Sequence, residues 1–91
     1  MSVPGSGKSF HVAVISPQRT LFEGEAKMVV LPAHDGEIGI LHGHAPLMAL
    51  LGEGTLRLET DTGTRRFHIS GGFVQVLENN VSVLSEEARE A

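Results

Sequence analysis

The side chains able to do chemistry are few, and most of them are histidines. His42 and His44 stand two apart. On a strand, residues i and i+2 share a face, so two imidazoles at that spacing could chelate one ion. His34, Asp35 and Glu37 lie nearby as further donors, but without a recognised ligand spacing. Near the start, Gly7, Lys8 and Ser9 match the end of a phosphate-binding loop. That loop needs another glycine at position 2, where the chain has Ser2, and a strand before it and a helix after it. Without them no backbone amides or helix dipole converge on a phosphate, and the triplet reads as part of a loose tail. There is no cysteine to serve as nucleophile, thiolate ligand or disulfide partner. No serine stands in a strand–turn–helix elbow with histidine and acid partners. His11 and His68 fall on outward strand positions, and the pairs Glu23/Glu25 and Glu86/Glu87 read as solvated faces. Asn80, Val81 and Ser82 fit a glycosylation acceptor, but with no secretory signal they read as a turn leading into a strand.

The elements that must position these residues follow a period of two rather than 3.6. Residues 1–9 are polar, with Pro4, Gly5 and Gly7, and are expected to be a flexible tail. Phe10, Val12 and Val14 alternate along a first strand that Pro17 stops. Met28, Val29, Val30 and Leu31 form a continuous apolar run ended by Pro32, as for a strand covered on both faces or one edge of a thin core. Leu56 and Leu58 point inward if Arg57 and Glu59 meet water, and Asp61, Thr62 and Gly63 supply a turn. Arg66, His68 and Ser70 alternate with Phe67 and Ile69 on the return strand, which Gly71 and Gly72 break. Val74 and Val76 are answered by Val81 and Val83 across a turn at Asn79 and Asn80. Further strands are expected near 20–23, 26–31, 38–41 and 46–50. Eight to ten short strands at this spacing describe an all-β antiparallel sandwich or barrel over residues 10–85. Residues 86–91 have a helix-leaning composition but are too few to hold a helix unaided.

Bulk properties narrow the function. Ninety-one residues make one domain with one core. A hydrophobic share of 41% is too high for a disordered chain. Net charge is −4 and the longest basic cluster is Arg65 and Arg66, so the positive footprint of a nucleic-acid binder is missing. The longest apolar run, 45–51, falls far short of the roughly 20 residues that span a bilayer. With no charged-then-apolar leader at its start, the chain reads as intracellular.

Two family resemblances bear on these motifs. Gly36 followed after five residues by His42, Gly43 and His44 resembles the opening of the cupin metal motif. A cupin then needs a glutamate three or four residues on and a later histidine, and neither is there; a cupin-like metal enzyme using His42 and His44 is the alternative reading. The broader resemblance is to the epsilon subunit of rotary F-type ATP synthases. It rests on residues 10–17 (Phe-His-Val-Ala-Val-Ile-Ser-Pro), 21–26 (Leu-Phe-Glu-Gly-Glu-Ala), 36–41 (Gly-Glu-Ile-Gly-Ile-Leu) with 43–47 (Gly-His-Ala-Pro-Leu), 54–58, 69–73 and 80–84. Six motifs in the family's order cover the chain from about Phe10 to Ala88.

The resemblance implies a flattened antiparallel sandwich of two five-stranded sheets and a non-catalytic part of the central stalk, with no cofactor of its own. It implies two partners, the gamma shaft and the ring of membrane c subunits. Asp35, Gly36 and Glu37 would face the ring; Ser16, Gly43, His44, Ala45, Pro46 and Leu47 would face gamma. Gly36, Gly39 and Gly43 are expected at tight turns. His42 stands where the family often has proline, so this loop is expected to be less stiff. Membrane contact would come only through the complex, on the cytoplasmic face of a bacterial inner membrane. Residues 86–91 stand where the family usually begins a helical hairpin that inhibits ATP hydrolysis and in some members binds ATP. The expectation is therefore coupling and assembly without hairpin-type inhibition.

Overall fold

The computed structural model describes residues 8–91. Gly7, and with it most of the expected tail, lies outside the described residues. Ten strands follow in order: β1 (Phe10–Ile15), β2 (Thr20–Ala26), β3 (Met28–Ala33), β4 (Gly36–Ile40), β5 (Leu47–Leu50), β6 (Glu53–Thr60), β7 (Gly63–Ser70), β8 (Phe73–Leu77), β9 (Asn80–Leu84) and β10 (Glu87–Glu90). They form two five-stranded sheets, with spatial orders β2-β1-β9-β8-β5 and β10-β7-β6-β3-β4. We call these the first and second sheets. No helix occurs among the described residues.

Every other residue of each strand enters the space between the sheets. Phe10, Val12, Val14, Val74, Val76, Val81 and Val83 come from the first sheet; Val29, Leu31, Ile40, Leu56, Leu58, Phe67 and Ile69 come from the second. All of these are at most 2% exposed, as the alternation in the sequence requires. Full burial of each such side chain stabilises the fold by roughly 1.5–3 kcal/mol.

Three local features depart from the sequence reading. β1 pairs with β9 in parallel, His11 opposite Asn80 through Ile15 opposite Leu84, so the first sheet is not wholly antiparallel. The β8–β9 turn is made by Glu78 and Asn79, both at positive φ, while Asn80 already pairs with Leu77. Residues 87–90, helix-leaning by composition, are instead an edge strand on β7, with Ala88 opposite Ile69 and packed on the core. Tertiary pairing overrides a weak local propensity here.

The two ends of the sandwich carry different connections. One end holds the β6–β7 turn at Asp61 and Thr62, the β8–β9 turn and the segment 41–46 that crosses from β4 to β5. The other, which we call the base, holds the β1–β2 turn, the β3–β4 turn at His34 and Asp35, and the corners at 51–52, 71–72 and 85–86 where the chain changes sheet. Arg65 closes part of the gap between sheets, its guanidinium 5.6 Å from the Phe22 ring centroid, 5.4 Å from that of Phe67, and 2.7 Å from a Glu90 carboxylate oxygen.

Candidate interaction face

The outward faces of the two sheets differ in chemistry. On the second sheet, Glu53, Arg57, Glu59, Arg66, His68, Glu87 and Arg89 mix both signs beside Met28, Val30 and Pro32 of β3, with His68 Nε2 3.4 Å from Glu53 and Arg57 Nε 3.2 Å from Glu59. That is an ordinary solvated surface, on which such pairs contribute little.

The first sheet is different. Its register sets Ile15 opposite Leu84, Leu84 opposite Phe73, and Phe73 opposite Leu50. Core residues lie at the alternate positions, so these four side chains form one row on the outward face, across four strands. One step along the strands lies Met48, opposite Gln75, and beyond it Leu77. Met48, Leu50 and Leu77 are 64%, 67% and 50% exposed. A contiguous apolar surface of this kind on a small domain is a candidate contact surface. A shallow groove of about 340 Å³ runs along the base end of the row, lined by Ile15, Ser16, Pro17, Phe73, Leu84 and Ser85. The far corner is polar: His11 Nε2 lies 3.3 Å from Glu23 and its Nδ1 3.7 Å from Glu25.

The residues singled out from sequence fall around this face. Ser16 follows β1 at the base and is buried; its hydroxyl donates to the Arg19 carbonyl at 3.1 Å and accepts the Arg19 N–H at 3.3 Å. It therefore closes a turn, while its neighbours Ile15 and Pro17 present surface. Gly43, His44, Ala45 and Pro46 lie at the opposite end, where the Gly43 N–H donates to Asn79 Oδ1 at 2.7 Å. Leu47 turns inward and packs on the core. Ser16 and the 43–46 segment are thus not adjacent; the apolar row and Met48 lie between them. Asp35, Gly36 and Glu37 share the β3–β4 hairpin tip at the base, with Gly36 at φ 147°. Gly39 is not in a turn: it sits within β4, with open space where a β-carbon would stand.

The metal reading gains no support. His42 is part of a turn and His44 of the irregular segment after it, so the two imidazoles do not share a strand face. His44 Nδ1 is already 2.7 Å from the Ala45 carbonyl oxygen, and no group of three or more histidine or carboxylate side chains among the described residues could hold an ion. The sequence reading missed the apolar row. Its signal was the failure of alternation at Val14–Ile15, at residues 48–51 and at Val83–Leu84, where both parities are apolar.

The fold is a two-sheet sandwich that sets a row of apolar side chains on one outward face. Comparison with known proteins places it further. Residues 9–91 match the family described as ATP synthase, Delta/Epsilon chain, beta-sandwich domain, and the chain belongs to that family. Similar proteins include the ATP synthase epsilon chain of Syntrophomonas wolfei, 44% identical over 81 residues, covering 88% of this chain and 59% of the relative. That of Rhodopirellula baltica is 44% identical over 80 residues, covering 88% and 62%. The chain thus spans about three-fifths of these relatives. Among solved structures, a chain of the Euglena gracilis mitochondrial ATP synthase (OSCP, F1 and c-ring) superposes with a TM-score of 0.84 at 23% identity, covering 93% of this chain and 55% of that one. A chain of the Tetrahymena thermophila mitochondrial ATP synthase central stalk and c-ring gives 0.75 at 13% identity, covering 92% and 68%. At these identities the likeness shows a shared fold.

Proposed function

We propose that this chain is an epsilon-type subunit of a rotary ATP synthase and works as a non-catalytic coupling piece of the central stalk. In this reading the outward face of the first sheet docks on the gamma shaft, and Asp35, Gly36 and Glu37 meet polar loops of the c ring, Glu37 as partner for a basic loop. Proton or sodium flow turns the ring, gamma and this subunit turn with it, and the catalytic head makes ATP. The enzyme complex would lie at the cytoplasmic face of a bacterial inner membrane, with the subunit peripheral to it.

The observation that carries the reading is the apolar row Ile15, Leu84, Phe73 and Leu50, set on one outward face across four strands. Burying such side chains against a partner supplies the non-directional part of the affinity. Ser16 and the 43–46 segment border that face at its two ends, as residues at the rim of a gamma contact. Coupling and assembly, without hairpin-type inhibition of hydrolysis, are the roles assigned to the chain in this reading. The 91-residue chain added to its cognate catalytic head is expected to leave ATP hydrolysis essentially unchanged; strong slowing would contradict this.

The test is to mix the chain with gamma from the same genome and run size-exclusion chromatography. One-to-one co-elution that is lost on Phe73→Asp and kept on His68→Asp supports the reading. Failure to bind folded gamma at low and moderate salt rejects it.

A further inference from the structure

The hairpin tip that carries Asp35, Gly36 and Glu37 belongs to the second sheet, yet it is fastened to the first. The His34 N–H donates to the Leu50 carbonyl at 3.0 Å, the Gly52 N–H donates to the Pro32 carbonyl at 3.0 Å, and Ala33 bridges to Leu51. The same short segment is fastened on its other side. The Leu51 N–H donates to the Gly72 carbonyl at 2.9 Å, and the Gly71 N–H to the Gly52 carbonyl at 3.3 Å. Gly72 in turn lies against the Leu84 carbonyl, and the Ser85 N–H donates to the Ile15 carbonyl at 2.9 Å. A belt of main-chain contacts therefore crosses the base of the sandwich from the tip at His34, through 50–52 and 71–72, to Leu84 and Ile15. Each of the four residues of the apolar row lies on this belt or next to a residue that does.

Gly52 is the position that allows the hairpin to come so close. A β-carbon there would stand 2.8 Å from the Ala33 carbonyl oxygen and 3.4 Å from its carbon, both main-chain atoms with no side-chain freedom to yield. Gly52 is not at positive φ, so its need for glycine is one of approach rather than of conformation.

We propose that Gly52, with the His34 to Leu50 hydrogen bond, is a positioning lock: it holds the Asp35, Gly36 and Glu37 tip at a fixed place relative to the apolar row, so that load taken at the tip reaches the row without the hairpin flexing. The assignment of tip and row as the two working faces rests on the function proposed above; the lock itself does not. A hairpin tied only to its own sheet bends at its tip, because loops and edge strands are the parts of a fold that open most easily. A hairpin bonded through main-chain atoms to the facing sheet loses that freedom.

Two variants break the lock by different means. Gly52→Ala pushes the Ala33 carbonyl away. His34→Pro removes the N–H that the Leu50 carbonyl accepts. Gly39→Ala is the control, since it lies on the same hairpin with nothing within 4 Å. Amide hydrogen exchange on the isolated chain, read at Gly52 and referenced to Val74, is expected to quicken tenfold or more in both variants and to stay within twofold in the control. Co-elution with gamma is expected to stay near that of the native chain. In the complex reassembled from cognate subunits, protons pumped per ATP hydrolysed are expected to fall to half or less. If Gly52→Ala does not fold, His34→Pro carries the same comparison. Gly52 exchange unchanged in folded variants overturns the lock, and faster exchange with full pumping overturns its role. A native chain that fails to bind gamma sinks the stalk reading instead, and the exchange arm still decides the lock.

Discussion

Leu50 stands directly opposite Phe73 on the outward face of the first sheet, and Leu50 is two-thirds exposed although core positions lie on either side of the pair. Nothing in the folding of the isolated domain needs a leucine there. Leu50→Asp is expected to leave stability within about 0.5 kcal/mol, as for a surface change. It is expected to weaken gamma binding tenfold to a hundredfold, from the roughly 1.5–3 kcal/mol of a buried leucine. Thermal unfolding and a gamma titration read the two halves separately, and a stable variant with native affinity would place the contact elsewhere.

Gly72 makes the opposite kind of demand. It has φ 95°, and a β-carbon would stand 1.9 Å from the Leu84 carbonyl oxygen. Gly72→Ala is expected to cost more than about 4 kcal/mol, the range kept for gross steric or core defects. Urea unfolding at 25 °C would show it as loss of the cooperative transition.

The β8–β9 turn can be improved. Glu78 at φ 50° and Asn79 at φ 62° form a two-residue hairpin loop with both central residues in the left-handed region, which suits asparagine far better than glutamate. Glu78→Asn is expected to raise stability by about 0.5–1 kcal/mol. Asn79 must stay, because its Oδ1 accepts the Gly43 N–H and tethers the 43–46 segment. Asn79→Ala should therefore lower stability by about 1 kcal/mol and speed exchange at the Gly43 amide.

Arg65 tests what a half-exposed cation is worth. Glu90→Ala removes only an ion pair between partners 41% and 57% exposed, and is expected to cost under about 1 kcal/mol. Arg65→Ala also strips the guanidinium from the Phe22 and Phe67 rings, and its cost should exceed that of Glu90→Ala by about 0.5–1 kcal/mol. Equal costs in denaturant titrations would show that the ring contacts contribute nothing.

The core was legible in the sequence because its information is local. Phe10, Val12 and Val14, or Leu56 and Leu58, announce their face by alternation alone, and all five are buried. The apolar row was not legible, because its order is set by register. Ile15, Leu50, Phe73 and Leu84 sit on four strands, and only the pairing of β1 with β9, β9 with β8 and β8 with β5 makes them one row. Ser16 shows the converse limit: a polar residue in a matching motif suggests a contact surface, yet its hydroxyl is spent on Arg19. At residues 87–90, a composition that leans toward helix yielded to the open edge of β7.

The parallel pairing of β1 with β9 has a consequence for how the protein is made. β1 leaves the ribosome early and finds β2 at once through a short turn, but its other neighbour begins at Asn80, about seventy residues later. Until then one side of β1 is bare, and the first sheet cannot join its two halves. Closure of that sheet is a late and nonlocal event, of the kind that slows folding and leaves strand edges open to other nascent chains. The second sheet holds two neighbouring hairpins, β3–β4 and β6–β7, both complete by Ser70, and gains its edge strand β10 last of all. Newborn chains should therefore carry those two hairpins while the apolar row, which needs β9 beside β1, does not yet exist.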